Sequence, residues 1–196
     1  MKVVVGLGNP GPEYARSRHN IGWWLLDHLA DTWRFDPWKR DGAALATTAI
    51  VNGVRTRLIK PQTYVNLSGA VLRPYLRRPT WAAEADLLVV MDEIALPLGT
   101  FRLRASGSSG GHNGLKSIEG ALGSRAYARL RIGIRPPGER PDIGPLADFV
   151  LGDCSREERE TIQSLMPVLT DAVDAWLHVG ILPAMNLFNR PSRPPA

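Results

Sequence analysis

The sequence predicts a single α/β domain, and three observations predict it. Apolar runs of strand length, at residues 3–8 and 87–91, are interleaved with segments whose apolar residues recur every three or four positions, around 20–35 and 155–177. A chain of 196 residues with 44% hydrophobic side chains is long enough to bury one continuous core without disulfides or metals. No stretch approaches the ~20 apolar residues that a bilayer-spanning helix needs.

The elements follow in order. Residues 3–8 read as a buried strand, ended by Asn9-Pro10-Gly11-Pro12, since Pro and Gly interrupt regular hydrogen bonding. Over 20–35, Ile21, Trp24, Leu25, Leu29 and Trp33 mark one face of an amphipathic helix and put His19 at its N-terminus. Segments 45–51 and 54–59 flank Asn52-Gly53, a pair suited to the left-handed positions of a type I′ turn, and so predict a hairpin. Lys60-Pro61 closes the second strand, and a helix is expected over 67–78, capped by Asn66 or Ser68 and disturbed by Pro74. The run 87–91 ends at Asp92-Glu93, so Asp92 is expected at the carboxyl end of a strand, where open α/β sheets bind ligands.

Residues 101–104 alternate apolar and basic side chains and predict a strand; 107–111 form a glycine loop; Asn113-Gly114 opens a short helix; and 129–134 alternate again. The Pro-, Gly- and charge-rich stretch 135–148 is expected to be an irregular, mobile connection. Ser155 and Glu158 make a capping box for a helix whose apolar face carries Ile162, Leu165, Met166, Leu169, Val173, Trp176 and Leu177, with a kink expected at Pro167. A last helix is expected over 181–188. The domain is expected to span 1–190, followed by a disordered tail at 191–196.

The net charge is +5, and 20 of the 24 cationic residues are arginine. Arginine forms bidentate contacts with phosphate, which makes a nucleic-acid partner plausible; a solvated basic surface is the plain alternative. The single cysteine, Cys154, excludes an internal disulfide and fits a reducing compartment. The apolar run after Met1-Lys2 is too short for a signal-peptide core, so the cytoplasm is the expected location and no membrane association is expected.

Two motif matches point to other chemistries and fail on context. Gly6-Leu7-Gly8-Asn9-Pro10-Gly11 fits the dinucleotide-binding pattern, but Pro10 and Pro12 delay the helix whose N-terminus would have to meet the pyrophosphate. Gly107-Ser108-Ser109-Gly110-Gly111 fits the serine-hydrolase elbow, yet the only late histidine, His178, falls near the end of an amphipathic helix, and a glycine run holds a nucleophile poorly. The four histidines show no metal-ligand spacing, so no metal and no cofactor are expected.

What remains is a set of polar side chains at turns and element ends: Asn9, His19, Asn66, Asp92, His112 and Asn113. Ester hydrolysis without a metal or a nucleophilic Ser or Cys needs a base for water, a carboxylate to orient that base, and neutral donors for the oxyanion. Each residue also has a plain reading, with Asn66 and Asn113 as helix caps, Asn9 as a turn residue and His19 on a surface turn.

Taken together, Val5-Gly6-Leu7-Gly8-Asn9-Pro10-Gly11 with Tyr14, Arg18-His19-Asn20-Ile21-Gly22, the run from Lys60-Pro61 to Asn66-Leu67-Ser68-Gly69, Asp92-Glu93, and the glycine loop with His112-Asn113-Gly114-Leu115-Lys116 resemble the bacterial-type peptidyl-tRNA hydrolase family. The resemblance implies a mixed, twisted β-sheet surrounded by α-helices. It makes His19 the catalytic base and Asp92 the carboxylate that orients it. Asn9, Asn66 and Asn113 become substrate-holding amides, Tyr14 a residue bounding the tRNA terminus, and His112 a cleft residue. The implied substrate is peptidyl-tRNA, held by its acceptor stem and its peptide; a monomer is expected. Arg102, Arg104, Lys116, Arg129 and Arg131, on the elements beside the glycine loop, are the expected phosphate contacts. Small departures from the family pattern occur at Ser17, Val65 and Ala95. A non-enzymatic RNA-binding protein of the same family is the rival reading.

Overall fold

The computed structural model describes residues 1–138 and 142–189, so the expected tail at 191–196 lies outside the described residues. Strand β1 (Lys2–Gly6) leads through 3-10 turns at Pro12–Tyr14 and Arg18–Asn20 into helix α1 (Ile21–Thr32). Strands β2 (Lys39–Asp41), β3 (Ala44–Val51) and β4 (Val54–Pro61) follow. Between β3 and β4, Asn52 and Gly53 have φ of 46° and 89°, the double left-handed conformation the hairpin turn requires.

A 3-10 helix (Val65–Leu72) then runs into α2 (Arg73–Leu76), and α3 (Ala83–Asp86) precedes β5 (Leu87–Pro97). Next come β6 (Phe101–Arg104), α4 (Asn113–Leu122), β7 (Ala128–Arg135), α5 (Leu146–Leu151), α6 (Arg156–Val179) and α7 (Ile181–Phe188).

Several expectations are corrected. The helix expected over 67–78 is a 3-10 helix followed by one α-turn; Asn66 lies inside it, no side chain caps it, and Pro74 sits in the first turn of α2, where its missing N–H costs nothing. β5 does not stop at Asp92 but continues to Pro97. The connection 135–148 already contains the start of α5. β2 and α3, each too short to show a period, were not expected. The capping box of Ser155 and Glu158 forms in both directions, and α6 is assigned as one helix through Pro167.

The described strands form one mixed sheet in the order β2-β3-β4-β1-β5-β7-β6, parallel across β4-β1-β5-β7 and antiparallel at both flanks. Alternation along the central strands divides the core in two. Val4, Leu58, Leu88, Val90 and Leu130 pack with α1 and α6, while Val3, Val5, Ile59, Leu87, Val89 and Met91 pack with the 3-10 helix and α4.

Backbone approaches backbone where α1 begins. A Cβ on Gly22 would lie 2.6 Å from the Leu7 carbonyl oxygen and 2.7 Å from that of Val90, and one on Gly6 would lie 2.6 Å from the Gly22 oxygen. No side chain larger than hydrogen fits there, so the first turn of α1 is pressed against the carboxyl ends of β1 and β5. That contact brings the residues just before α1 alongside those just after Val90.

Candidate active site

β1 pairs with β5 as far as Gly6 and Val90, so Asp92 stands two residues past the point where its parallel neighbour leaves the sheet. Asp92 is buried, and the two side chains it meets are histidines. His19, in the turn before α1, has Nδ1 at 2.8 Å from Asp92 Oδ1. His112, at the start of α4, has Nε2 at 3.1 Å from the same oxygen. The two imidazole centroids are 4.9 Å apart.

Hydrogen-bond bookkeeping assigns the protons. Nδ1 of His112 accepts the N–H groups of Gly114 and Leu115 at 3.1 and 3.4 Å, so His112 caps α4, and its ring proton is on Nε2, donated to Asp92. The plain reading of Asn113 as the cap is thereby corrected: Asn113 is the first helical residue and lines the cleft instead. His19 donates from Nδ1, which leaves the lone pair on Nε2, and no protein partner for that atom occurs among the described residues.

Electrostatics agree with this arrangement. Burial alone would raise the Asp92 carboxyl, but the two histidines and their hydrogen bonds outweigh it and hold the group well below the usual carboxylate range. Burial pulls the His19 imidazole down, while the Asp92 charge and hydrogen bond push it up; the net displacement is upward from 6.5. Asp92 therefore stays ionised and makes His19 more basic.

Asparagines set the frame. Asn20, buried beside His19, accepts the Asn9 N–H at 2.9 Å and donates to the Asn9 carbonyl at 3.0 Å. Asn9 in turn accepts the Val65 N–H on Oδ1 at 2.8 Å, tying the loop after β1 to the 3-10 helix. Its amide nitrogen has no protein acceptor among the described residues. Asn9, Tyr14, His19, Asn66, Asp92, His112 and Asn113 all line one cleft of about 390 Å³, joined by Tyr64, Glu93, Ile94 and the α5 residues Leu146, Ala147, Val150 and Leu151. Asn20 and the α5 wall were missed in the sequence: nothing local signals a reciprocal amide pair, and six residues are too few to show a helical period.

The five expected phosphate contacts separate. Arg104 and Lys116 are exposed and have no ion pair among the described residues. Arg131 pairs with Glu93 at 2.7 Å, and the Arg102 guanidinium donates to the Asn189 carbonyl. Arg129 is corrected outright. It is 2% exposed, bonds the Ser108 carbonyl at 2.7 Å and Glu119 at 3.2 Å, and stacks on Tyr127, so it anchors the glycine loop from beneath.

The serine and cysteine readings find no support at the residues they need. His178 is bonded to the Asp174 and Asn52 carbonyls, at the hairpin between β3 and β4, so Ser109 has no histidine there to activate it. Burial pushes the Cys154 thiol up to about 12, which keeps it protonated. Ligand atoms of His19, Asp92 and His112 do lie within 4.8 Å of one another, the one such group among the described residues. In the arrangement seen, both facing nitrogens bond the carboxylate.

A buried carboxylate within β5, holding a histidine with a free nitrogen over a cleft lined by amides, is an arrangement able to support general-base hydrolysis. Residues 3–195 match the family model described as Peptidyl-tRNA hydrolase. The Peptidyl-tRNA hydrolase of Gemmatimonas aurantiaca is 54% identical over 190 residues, covering 97% of this chain and 100% of the relative. That of Geobacillus kaustophilus is 41% identical over 96% of this chain and 100% of its own length. A crystal structure of peptidyl-tRNA hydrolase from Acinetobacter baumannii superposes with a TM-score of 0.85 at 33% identity, covering 96% of this chain and 94% of that one. The chain belongs to the peptidyl-tRNA hydrolase family, a family of enzymes.

Proposed function

We propose that this enzyme cleaves the ester between a peptide, or an N-blocked aminoacyl group, and tRNA, using water activated by His19 and no metal. The observation that carries the reading is the 2.8 Å bond from His19 Nδ1 to Asp92, which leaves Nε2 as an unengaged base over the cleft. Nε2 takes a proton from water, and the hydroxide attacks the ester carbonyl. Amide donors from Asn9, Asn66 and Asn113 stabilise the tetrahedral oxyanion, and the tRNA hydroxyl leaves with the proton His19 has gained. Asp92 stays ionised throughout and stabilises the imidazolium.

The same asparagines account for selectivity. A peptide amide beside the ester offers them a neutral donor and acceptor, whereas the free amine of aminoacyl-tRNA is cationic and cannot make the same bonds. Exposed Arg104 and Lys116 are the proposed contacts to acceptor-stem phosphates, with Arg102 and Arg131 next to them. The reading includes a monomer acting in the cytoplasm to recycle tRNA from prematurely released peptidyl-tRNA.

The test is hydrolysis of N-acetylated aminoacyl-tRNA against the unblocked form, with EDTA present, for wild type and His19→Ala. Cleavage by wild type alone, and of the blocked substrate alone, is expected. Binding of tRNA without any release of the acyl group would replace hydrolysis with recognition, and loss of activity in EDTA would restore a metal to the mechanism.

A further inference from the structure

Arg18 adjoins the base in sequence yet does not line the cleft. Its Nε and Nη2 donate to Glu158 Oε1 and Oε2 at 3.0 and 2.8 Å, and its Nη1 donates to the carbonyls of Phe149 and Gly152 at 3.0 and 3.2 Å. The guanidinium also stacks on Phe149, 4.2 Å from the ring centroid. Gly152 makes room for it, since a Cβ there would lie 3.2 Å from Nη1.

Those two carbonyls lie at the end of α5, where few internal donors remain; the Phe149 oxygen also accepts the Gly152 N–H at 3.3 Å. α5 is only six residues long and fully buries no side chain; Phe149 and Val150 pack partly against the core, and the backbone bonds from Arg18 N–H to the Gly152 carbonyl and from Cys154 N–H to the Arg16 carbonyl begin an anchorage to the His19 turn that the Arg18 side chain completes. It nevertheless forms one wall of the cleft, with Leu146 and Leu151 left 50% and 38% exposed. Exposed leucines facing a cleft of this size are apolar surface awaiting an apolar ligand group.

We infer that Arg18 is a positioning residue that docks α5 against the His19 turn, and that the wall so placed forms a subsite for apolar side chains of the acyl group being released. The inference rests on the hydrolase reading above. Arginine is required because one planar fork reaches a carboxylate and two carbonyls at once; an ammonium group at that point cannot span all three. Arg18 thus acts on substrate affinity, through α5, rather than on the proton transfer next door.

The experiment measures kcat and KM for N-acetyl-leucyl-tRNA and N-acetyl-glycyl-tRNA with wild type, Arg18→Gln, Arg18→Lys and Arg16→Gln. Arg18→Gln should raise KM about tenfold for the leucyl substrate and less than about threefold for the glycyl one, with kcat within about threefold for both. Arg18→Lys should recover only part of the leucyl KM. Arg16→Gln, which breaks the exposed Arg16–Asp153 pair, should stay within about twofold of wild type. Equal losses on both substrates, or a fall in kcat with KM unchanged, would overturn the inference. Leu151→Ala, which leaves the Arg18 contacts alone, serves if Arg18→Gln does not fold: a leucyl-selective rise in KM supports the subsite, and an unselective change sinks it. Wild type that cleaves neither substrate refutes the hydrolase reading itself, whereas active wild type with an unselective Arg18→Gln refutes only the role of Arg18.

Discussion

Asn20 holds both ends of the Asn9 residue, accepting its N–H at 2.9 Å and donating to its carbonyl at 3.0 Å, from eleven positions further along the chain. The pair locks the loop after β1 against the turn that carries His19. Asn20→Ala leaves a buried N–H and a buried carbonyl unpartnered, which should cost about 2–4 kcal/mol. Asn20→Asp keeps the acceptor and loses the donor, and should cost roughly half as much. Urea unfolding checks both, and a midpoint unchanged in Asn20→Ala would mean that water replaces the amide.

The pH profile follows from the two displaced groups. The proposed base His19 can act only when neutral, and its folded pKa is raised from 6.5, so kcat/KM should fall on acidification with a midpoint above that value. Asp92→Asn removes the charge and leaves the burial, so the His19 midpoint should drop below 6.5, read directly by NMR titration of the ring proton. For stability the signs are opposite. His19, with its pKa raised by folding, stabilises the fold fully below 6.5, and that contribution is lost as pH rises through the folded value. Asp92, with its pKa lowered by folding, stabilises the fold above the ordinary carboxylate range, and its contribution is lost as pH falls below that range.

Gly22→Ala tests the close approach of α1 to the sheet. The added methyl meets backbone oxygens at 2.6 and 2.7 Å, so the helix must move away from β1 and β5. A stability loss of about 2–3 kcal/mol is expected. Because His19 lies three residues upstream, a shift of the helix misplaces the proposed base, and kcat should fall about a hundredfold. Full activity at wild-type stability would show that the sheet yields instead.

Salt dependence separates free cations from committed ones. Charge reversal at Arg104 or Lys116 should lower the slope of log affinity for tRNA against log salt by about one each. Arg129→Gln should leave that slope alone and destabilise the glycine loop, because its guanidinium is already bonded to Ser108 and Glu119. A flattened slope in Arg129→Gln would mean that the loop opens to let phosphate in.

Much of the site was legible because its residues sit at element boundaries that the sequence marks. The amphipathic period after His19 and the turn pair Asn52-Gly53 announce a beginning and an end, whereas the apolar run before Asp92 marks only where the buried half of β5 gives out, the strand itself continuing to Pro97; each prediction rests on residues within a dozen positions. What was not legible depends on distant partners. Arg129 reads as one more surface cation in an alternating strand until Glu119 and Ser108 close over it. Glu158 was assigned to the capping box of α6, correctly, but the same carboxylate also receives Arg18 across 140 residues. His112 has two acceptor-and-donor duties that appear only once α4 is set beside β5.

The cleft is bounded by elements of very different depth in the fold. On one side, β5 runs through the middle of the sheet with Leu87 to Val90 fully enclosed; on the other, α5 fully buries no side chain and packs on the core only through half-buried Phe149 and Val150. Amide hydrogens of the β5 side should exchange with solvent only through global unfolding, while those of α5 exchange through local opening at far smaller free energy. The molecule therefore grips with one fixed jaw and one compliant jaw. Under the proposed reading, acyl groups of many sizes are admitted by yielding on the α5 side, while His19 and Asp92 are held on the enclosed side.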